Sequence, residues 1–157
     1  FLKLYNTVRY PIMKVDIIRF LILHKYGGLY ADLDIFPKLK KLKDKDLVIS
    51  YKIGLKRKHF EMEVVQSKKN NKFLLDFLDH VKKQIKEKNK IKIYDTWKAR
   101  YIYHTTGPYS LHRFLKENNI HPDKYIINEP KTVDNSLNLS GNEDFISYPS
   151  CSYLSKL

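Results

Sequence analysis

The chain has 157 residues, 43% of them hydrophobic and 13% aromatic, enough for one domain with a sizeable core and too apolar for a disordered chain. Its formal charge is +13, but the lysines are spread along the whole sequence. That distribution argues against a dedicated nucleic-acid partner while leaving a general attraction for anionic donors such as nucleoside diphosphates. Cys151 is the single cysteine, which excludes an internal disulfide and a cysteine-based zinc site. No apolar run approaches the ~20 residues of a membrane span, and the longest, residues 17–23, is interrupted by Arg19.

In chain order, the first predicted element is a helix over residues 11–26. Pro11 suits a first turn, and Ile12, Val15, Ile18, Phe20, Leu21, Ile22 and Leu23 make the helix apolar on most faces, so it is expected to be buried. Gly27 and Gly28 supply the left-handed conformation that ends a helix. Residues 29–36 then alternate, with Leu29, Ala31, Leu33 and Ile35 on one face and Tyr30, Asp32 and Asp34 on the other, so a strand is expected up to Pro37. Residues 38–45 are charged and connecting. Short strands are expected at 47–51 and 60–65, and another at 125–127. Asn71 caps an amphipathic helix on which Phe73, Phe77, Val81 and Ile85 recur every four residues. Thr106-Gly107-Pro108 opens a further helix through Leu111, Phe114 and Leu115, with Thr106 near its cap. Strands and helices alternate, which predicts an α/β domain.

The chemistry concentrates around Asp32 and Asp34. On one strand they lie on the same face, with Cα atoms roughly 6–7 Å apart. Two such carboxylates repel, and an oxygen-preferring divalent cation, Mg²⁺ or Mn²⁺, relieves that repulsion while bridging to substrate phosphates. A solvated pair of acids at a strand end is the plainer alternative. Asp16 and Arg19 stand at i, i+3 on the buried helix, either as an intrahelical ion pair or with Arg19 meeting a phosphate and Asp16 a sugar or ribose hydroxyl. His24, His104 and His112 fit hydrogen-bonded structural roles, and Trp97, Tyr101 and Tyr103 fit packing more readily than stacking on an acceptor sugar.

The run PIMKVDIIRFLILHKYGGLYADLDIF, with Asp16, Arg19, Gly27, Gly28, Tyr30, Asp32 and Asp34 in place, resembles the D-x-D sugar-binding region of retaining glycosyltransferases. The likeness is to yeast Och1-like and inositol-phosphoceramide mannosyltransferases, with the large clostridial glucosylating toxins more distant. Thr106-Gly107-Pro108 resembles a T-G-P element further along in the same enzymes. The resemblance implies a GT-A-like, Rossmann-like α/β fold in one catalytic domain, or a fragment of one, over residues 1–157, with its D-x-D core at 11–37. It further implies metal-dependent transfer of a hexose, with retention, from a UDP- or GDP-sugar to a glycan, lipid or protein acceptor.

Carried over by residue, Asp34 ligates Mn²⁺ or Mg²⁺ directly, and Asp32 binds donor hydroxyls and supports the metal. Asp16 and Arg19 hold the donor sugar, and Gly28, Tyr30, Thr106 and Gly107 line the donor site. The family's N-terminal β-α segment has only residues 1–10 in its place, so a fragment or a reduced form is expected. The C-terminal His or Trp that completes the family's metal site has no counterpart here. Asn142, Glu143, Asp144, Ser150 and Ser152 stand as substitutes. The rival readings are a non-catalytic sugar-nucleotide or glycan-binding relic of the fold and a basic nucleic-acid-binding domain.

Overall fold

The computed structural model describes residues 1–33, 35–37, 44–53, 58–89, 97–120, 131–132 and 145–147. The expected strand at 125–127 lies outside them, as do Asp34 and the five C-terminal candidates. Five helices are described: α1 (Leu2–Thr7), α2 (Pro11–Tyr26), α3 (Lys72–Lys88), α4 (Lys98–Thr105) and α5 (Pro108–Glu117). Six strands accompany them: β1 (Gly28–Ala31), β2 (Ile35–Pro37), β3 (Leu47–Ile53), β4 (Lys58–Ser67), β5 (Lys131–Thr132) and β6 (Phe145–Ser147).

One sheet has the order β1-β4-β3 and is antiparallel throughout. In the other, β6 lies between β2, antiparallel to it, and β5, parallel to it. The helices cover one face of the first sheet. Phe20 of α2, Phe77 of α3, Leu111 of α5 and Leu47, Ile49 and Val65 of the sheet meet in the main core. Phe20 and Phe77 pack edge to face at 5.0 Å between ring centroids, and Phe77 and Phe114 pack with tilted rings at 5.7 Å, so aromatic contacts tie α2, α3 and α5 together. A smaller cluster of Ile35, Val48 and Val64, with Leu29 and Ala31 against it, lies on the other face of the sheet.

α2 has the predicted bounds, and its start carries Pro11 in the first turn. It is not buried all round. Met13, Ile17, Phe20 and Leu23 face the core, whereas Val15, Ile18 and Ile22 are exposed, so the expectation of burial holds for one face only. Its C-terminus turns at Gly27, whose φ of +70° belongs to the left-handed region and whose N–H donates to the Leu23 carbonyl at 2.8 Å. α3 carries its predicted cap, the Asn71 side chain accepting from the Phe73 N–H at 3.0 Å.

The predicted strand over 29–36 is corrected. β1 ends at Ala31 and β2 begins at Ile35 in the other sheet, because the Ile35 N–H donates to the Asp32 carbonyl at 3.0 Å and closes a turn. Leu33 is fully exposed there instead of sharing the apolar face with Leu29 and Ala31. Asp32 therefore stands in a turn at the sheet end, outside both strands. β3 and β4 both run longer than expected. Gly107 occupies the cap position of α5, with Thr106 beside it.

Candidate functional site

Three elements converge at the end of the first sheet. α2 contributes Asp16 and Arg19, β1 and the turn after it contribute Tyr30 and Asp32, and the junction between α4 and α5 contributes Thr106. The alternation of β1 explains Tyr30: Leu29 and Ala31 pack on the smaller cluster, so Tyr30 is turned to the helix side. Asp32 extends the ladder by one bond, its N–H donating to the Glu63 carbonyl of β4 at 2.8 Å.

Arg19 is the hub. It is only 4% exposed, and an Arg buried to this degree requires partners. One guanidinium nitrogen lies 3.0 Å from Asp16 Oδ1. The other lies 3.5 Å from Asp32 Oδ1 and donates a short hydrogen bond to the Met62 carbonyl of β4. Nε reaches the Val15 carbonyl at 3.4 Å, and the guanidinium carbon sits 4.5 Å from the centroid of the Tyr30 ring. Arg19 thus pins α2 to β4 while standing between the two carboxylates.

Asp16 is also buried, and its second oxygen accepts from the Thr106 hydroxyl at 2.7 Å. Burial pushes the Asp16 carboxyl up to about 6, against the pull of Arg19 and of the Thr106 hydrogen bond, with the Asp32 charge adding to the rise. At neutral pH it is mostly ionised and accepts only. The Tyr30 hydroxyl donates to Asp32 Oδ1 at 2.6 Å. Burial raises the Tyr30 phenol well above its ordinary range, against the pull of Arg19, and the hydrogen bond to Asp32 adds to the rise. Tyr30 therefore acts as a donor, not as a base.

Of the sequence-derived candidates, Asp16, Arg19, Tyr30, Asp32 and Thr106 are linked by these contacts. Gly28 precedes Tyr30 on β1, and Gly107 follows Thr106 at the helix junction. Asp34 lies outside the described residues. Met62 went unforeseen because it contributes a main-chain carbonyl, which leaves no mark in a sequence. His24 Nδ1 is 3.1 Å from the Asn71 carbonyl, and the rings of His104 and Tyr109 are 4.3 Å apart. Tyr101 is buried with its hydroxyl on Asn89, whereas Trp97 and Tyr103 are exposed.

For a divalent cation, the chemistry of the donor set is informative. Among the described residues no three His, Cys, Asp or Glu side chains come together as a ligand group. Asp32 is the more exposed of the site's two described carboxylates, but its Oδ1 is taken up by Tyr30 and Arg19. It suits a supporting place beside a metal better than sole ligation.

Residues 1–53 match the family model of the glycosyltransferase sugar-binding region containing the DXD motif. The match covers the first 53 of the chain's 157 residues. Over 35 residues the chain is 49% identical to inositol phosphoceramide mannosyltransferase 3 of Schizosaccharomyces pombe (strain 972 / ATCC 24843), a stretch that is 22% of this chain and 10% of that protein. Among solved structures, the PaToxG glycosyltransferase superposes with a TM-score of 0.53 at 20% identity, over 68% of this chain and 36% of that one. The chain therefore corresponds to about a tenth of the curated relative and about a third of the solved one. The structural likeness gives the fold, which is α/β and GT-A-like. The DXD region's Asp16, Arg19, Tyr30 and Asp32 are the residues that the geometry links into one cluster.

Proposed function

We propose that this chain is a catalytic domain of a glycosyltransferase, or part of one, with its D-x-D core at residues 11–37, and that it moves a hexose from a nucleotide-sugar donor to a glycan, lipid or protein acceptor. The observation that carries the reading is the buried Asp16–Arg19–Asp32 network inside the segment that matches the DXD sugar-binding region. Two carboxylates and a guanidinium gathered at a sheet end, at the desolvation cost this entails, form a cluster suited to orienting a polar ligand.

In this reading Asp16 accepts a hydroxyl of the donor sugar, and Arg19 holds Asp16 and Asp32 at a fixed spacing. Tyr30 and Arg19 hold one oxygen of Asp32 in place, and the Asp32 carboxylate meets a ribose or sugar hydroxyl or a metal-bound water. Asp34 is the direct metal ligand. The cation, Mn²⁺ or Mg²⁺, neutralises charge on the departing diphosphate when bound. Transfer with retention needs no base from the protein, since the leaving phosphate takes the acceptor's proton on the same face. The name of the curated relative makes an anionic lipid acceptor and a mannose donor the first pair to try.

A thermal-shift panel of UDP-, GDP- and CMP-sugars, each with and without Mn²⁺, on wild type and Asp34→Asn tests the reading. Ligand that binds only the folded state raises the melting temperature by mass action. The expected result is a rise for one nucleotide that requires the metal and disappears in the variant. No rise with any donor would overturn the reading.

A further inference from the structure

We propose that Thr106 is a positioning residue of the donor site: its hydroxyl, brought to Asp16 by the α4–α5 junction, fixes the carboxylate in the orientation that receives the donor sugar. The inference rests on the donor-site reading of Asp16 and extends it to a residue outside the DXD region.

The geometry is specific. Asp16 has two oxygens and two anchors on different parts of the chain, Arg19 at 3.0 Å on its own helix and Thr106 at 2.7 Å, 90 residues away. Arg19 alone would leave the carboxylate free to swing about its side-chain torsions; a second donor on the other oxygen removes that freedom. Thr106 is 1% exposed, so its hydroxyl is committed to Asp16 and not open to a ligand.

The junction itself is held tightly. The N–H groups of Thr106 and Gly107 both donate to the Ile102 carbonyl, at 3.0 and 2.9 Å. A Cβ at Gly107 would stand 3.0 Å from the Tyr103 Cα and 3.2 Å from the Ile102 carbonyl oxygen, so the close turn that aims Thr106 favours glycine.

The adjacent threonine is a built-in comparison. Thr105 is equally buried, but its hydroxyl turns back to the Tyr101 carbonyl of its own helix at 2.7 Å. Two neighbouring hydroxyls of the same chemistry thus have different tasks, one closing α4 and the other reaching the candidate site.

The experiment compares wild type with Thr106→Val, Thr106→Ser and Thr105→Val, with Thr106→Ala as a second hydroxyl-free variant should valine perturb folding. The first readout is the midpoint of the Asp16 carboxyl followed by ¹³C NMR against pH, which requires no ligand. Arg19, Asp32 and Tyr30 are the charged and titratable groups of the same cluster, and all are unchanged in every variant. The second is affinity for the nucleotide sugar to which wild type responds, measured by calorimetry with Mn²⁺.

Loss of the Thr106 hydroxyl should raise the Asp16 midpoint and weaken the donor about tenfold, the scale of one hydrogen bond to a charged group. Thr106→Ser should restore both, and Thr105→Val should lower the melting temperature while leaving both at wild-type values. A hydroxyl-free variant with wild-type midpoint and affinity overturns the proposal, as does an equal loss of affinity in Thr105→Val. A wild type that binds no nucleotide sugar, while its Asp16 midpoint still moves in Thr106→Val, overturns the reading of the site and supports the positioning of Asp16 by Thr106.

Discussion

Asp16 carries the sharpest consequence at the scale of single residues. Burial, above all, pushes its carboxyl up to about 6 from an ordinary 3.8. A carboxyl whose folded value lies above its unfolded value binds its proton more tightly when folded. It therefore supports the fold fully at low pH, and that support is lost as pH rises from about 4 through about 6. In urea melts, the unfolding free energy of wild type relative to Asp16→Asn should decline by on the order of 2–3 kcal/mol between pH 4 and pH 7. A difference that stays level or grows across that window would show that Asp16 is not desolvated. The pairing of Asp16 with Arg19 was legible in the sequence from their i, i+3 spacing on an apolar helix. Its second partner was not, since no local pattern links residues 16 and 106. Thr106 reads in sequence as lying near a helix cap, and in the fold its hydroxyl donates to Asp16.

At the scale of elements, α2 and α3 were legible because each is long enough for a spacing pattern and each has a recognisable end signal. α1, with six residues and no side-chain cap, and α4, with eight, are too short for a period to emerge. The single strand drawn through Asp32 failed for another reason. Alternation of apolar and polar residues continues unbroken across the turn, so the hydrogen bond from Ile35 to Asp32 leaves the pattern unchanged. The glycine pair between α2 and β1 supplies a test at this scale. A Cβ at Gly27 would stand 2.8 Å from the Lys69 main-chain nitrogen at a φ of +70°, whereas at Gly28, with φ of +97°, it would meet nothing within 4 Å. Gly27→Ala should therefore destabilise by roughly 1–3 kcal/mol or more, and by a larger amount than Gly28→Ala, as read from thermal melts. Equal effects would mean that strain in the backbone, not the contact with the chain before α3, sets the requirement.

Across the whole molecule, the core is organised by a few aromatic contacts between helices and by the covered face of the β1-β4-β3 sheet. Phe77 is fully buried between Phe20 and Phe114, so Phe77→Ala should cost about 3–5 kcal/mol, a large share of the stability of a domain this size. Ile22, on the open side of α2 and 48% exposed, should tolerate replacement by Ala within about 0.5 kcal/mol. Chemical denaturation of the two variants side by side checks both. A large loss at Ile22 would mean that the open face of α2 is covered in solution. The alternation of elements was enough to name the α/β class, but the split into two sheets depends on strands too short to announce themselves.

The two anchors of Asp16 differ in how far along the chain they lie. Its tie to Arg19, and through Arg19 to Asp32, closes within a single helix-turn-strand unit, while its bond to Thr106 joins residues 90 apart. The entropy lost in closing a loop grows with the logarithm of its length. During folding the charged pair therefore has an earlier opportunity to form than the hydroxyl contact. A refolding chain can pair Asp16 with Arg19 before α4 and α5 dock and bring the Thr106 hydroxyl to the carboxylate.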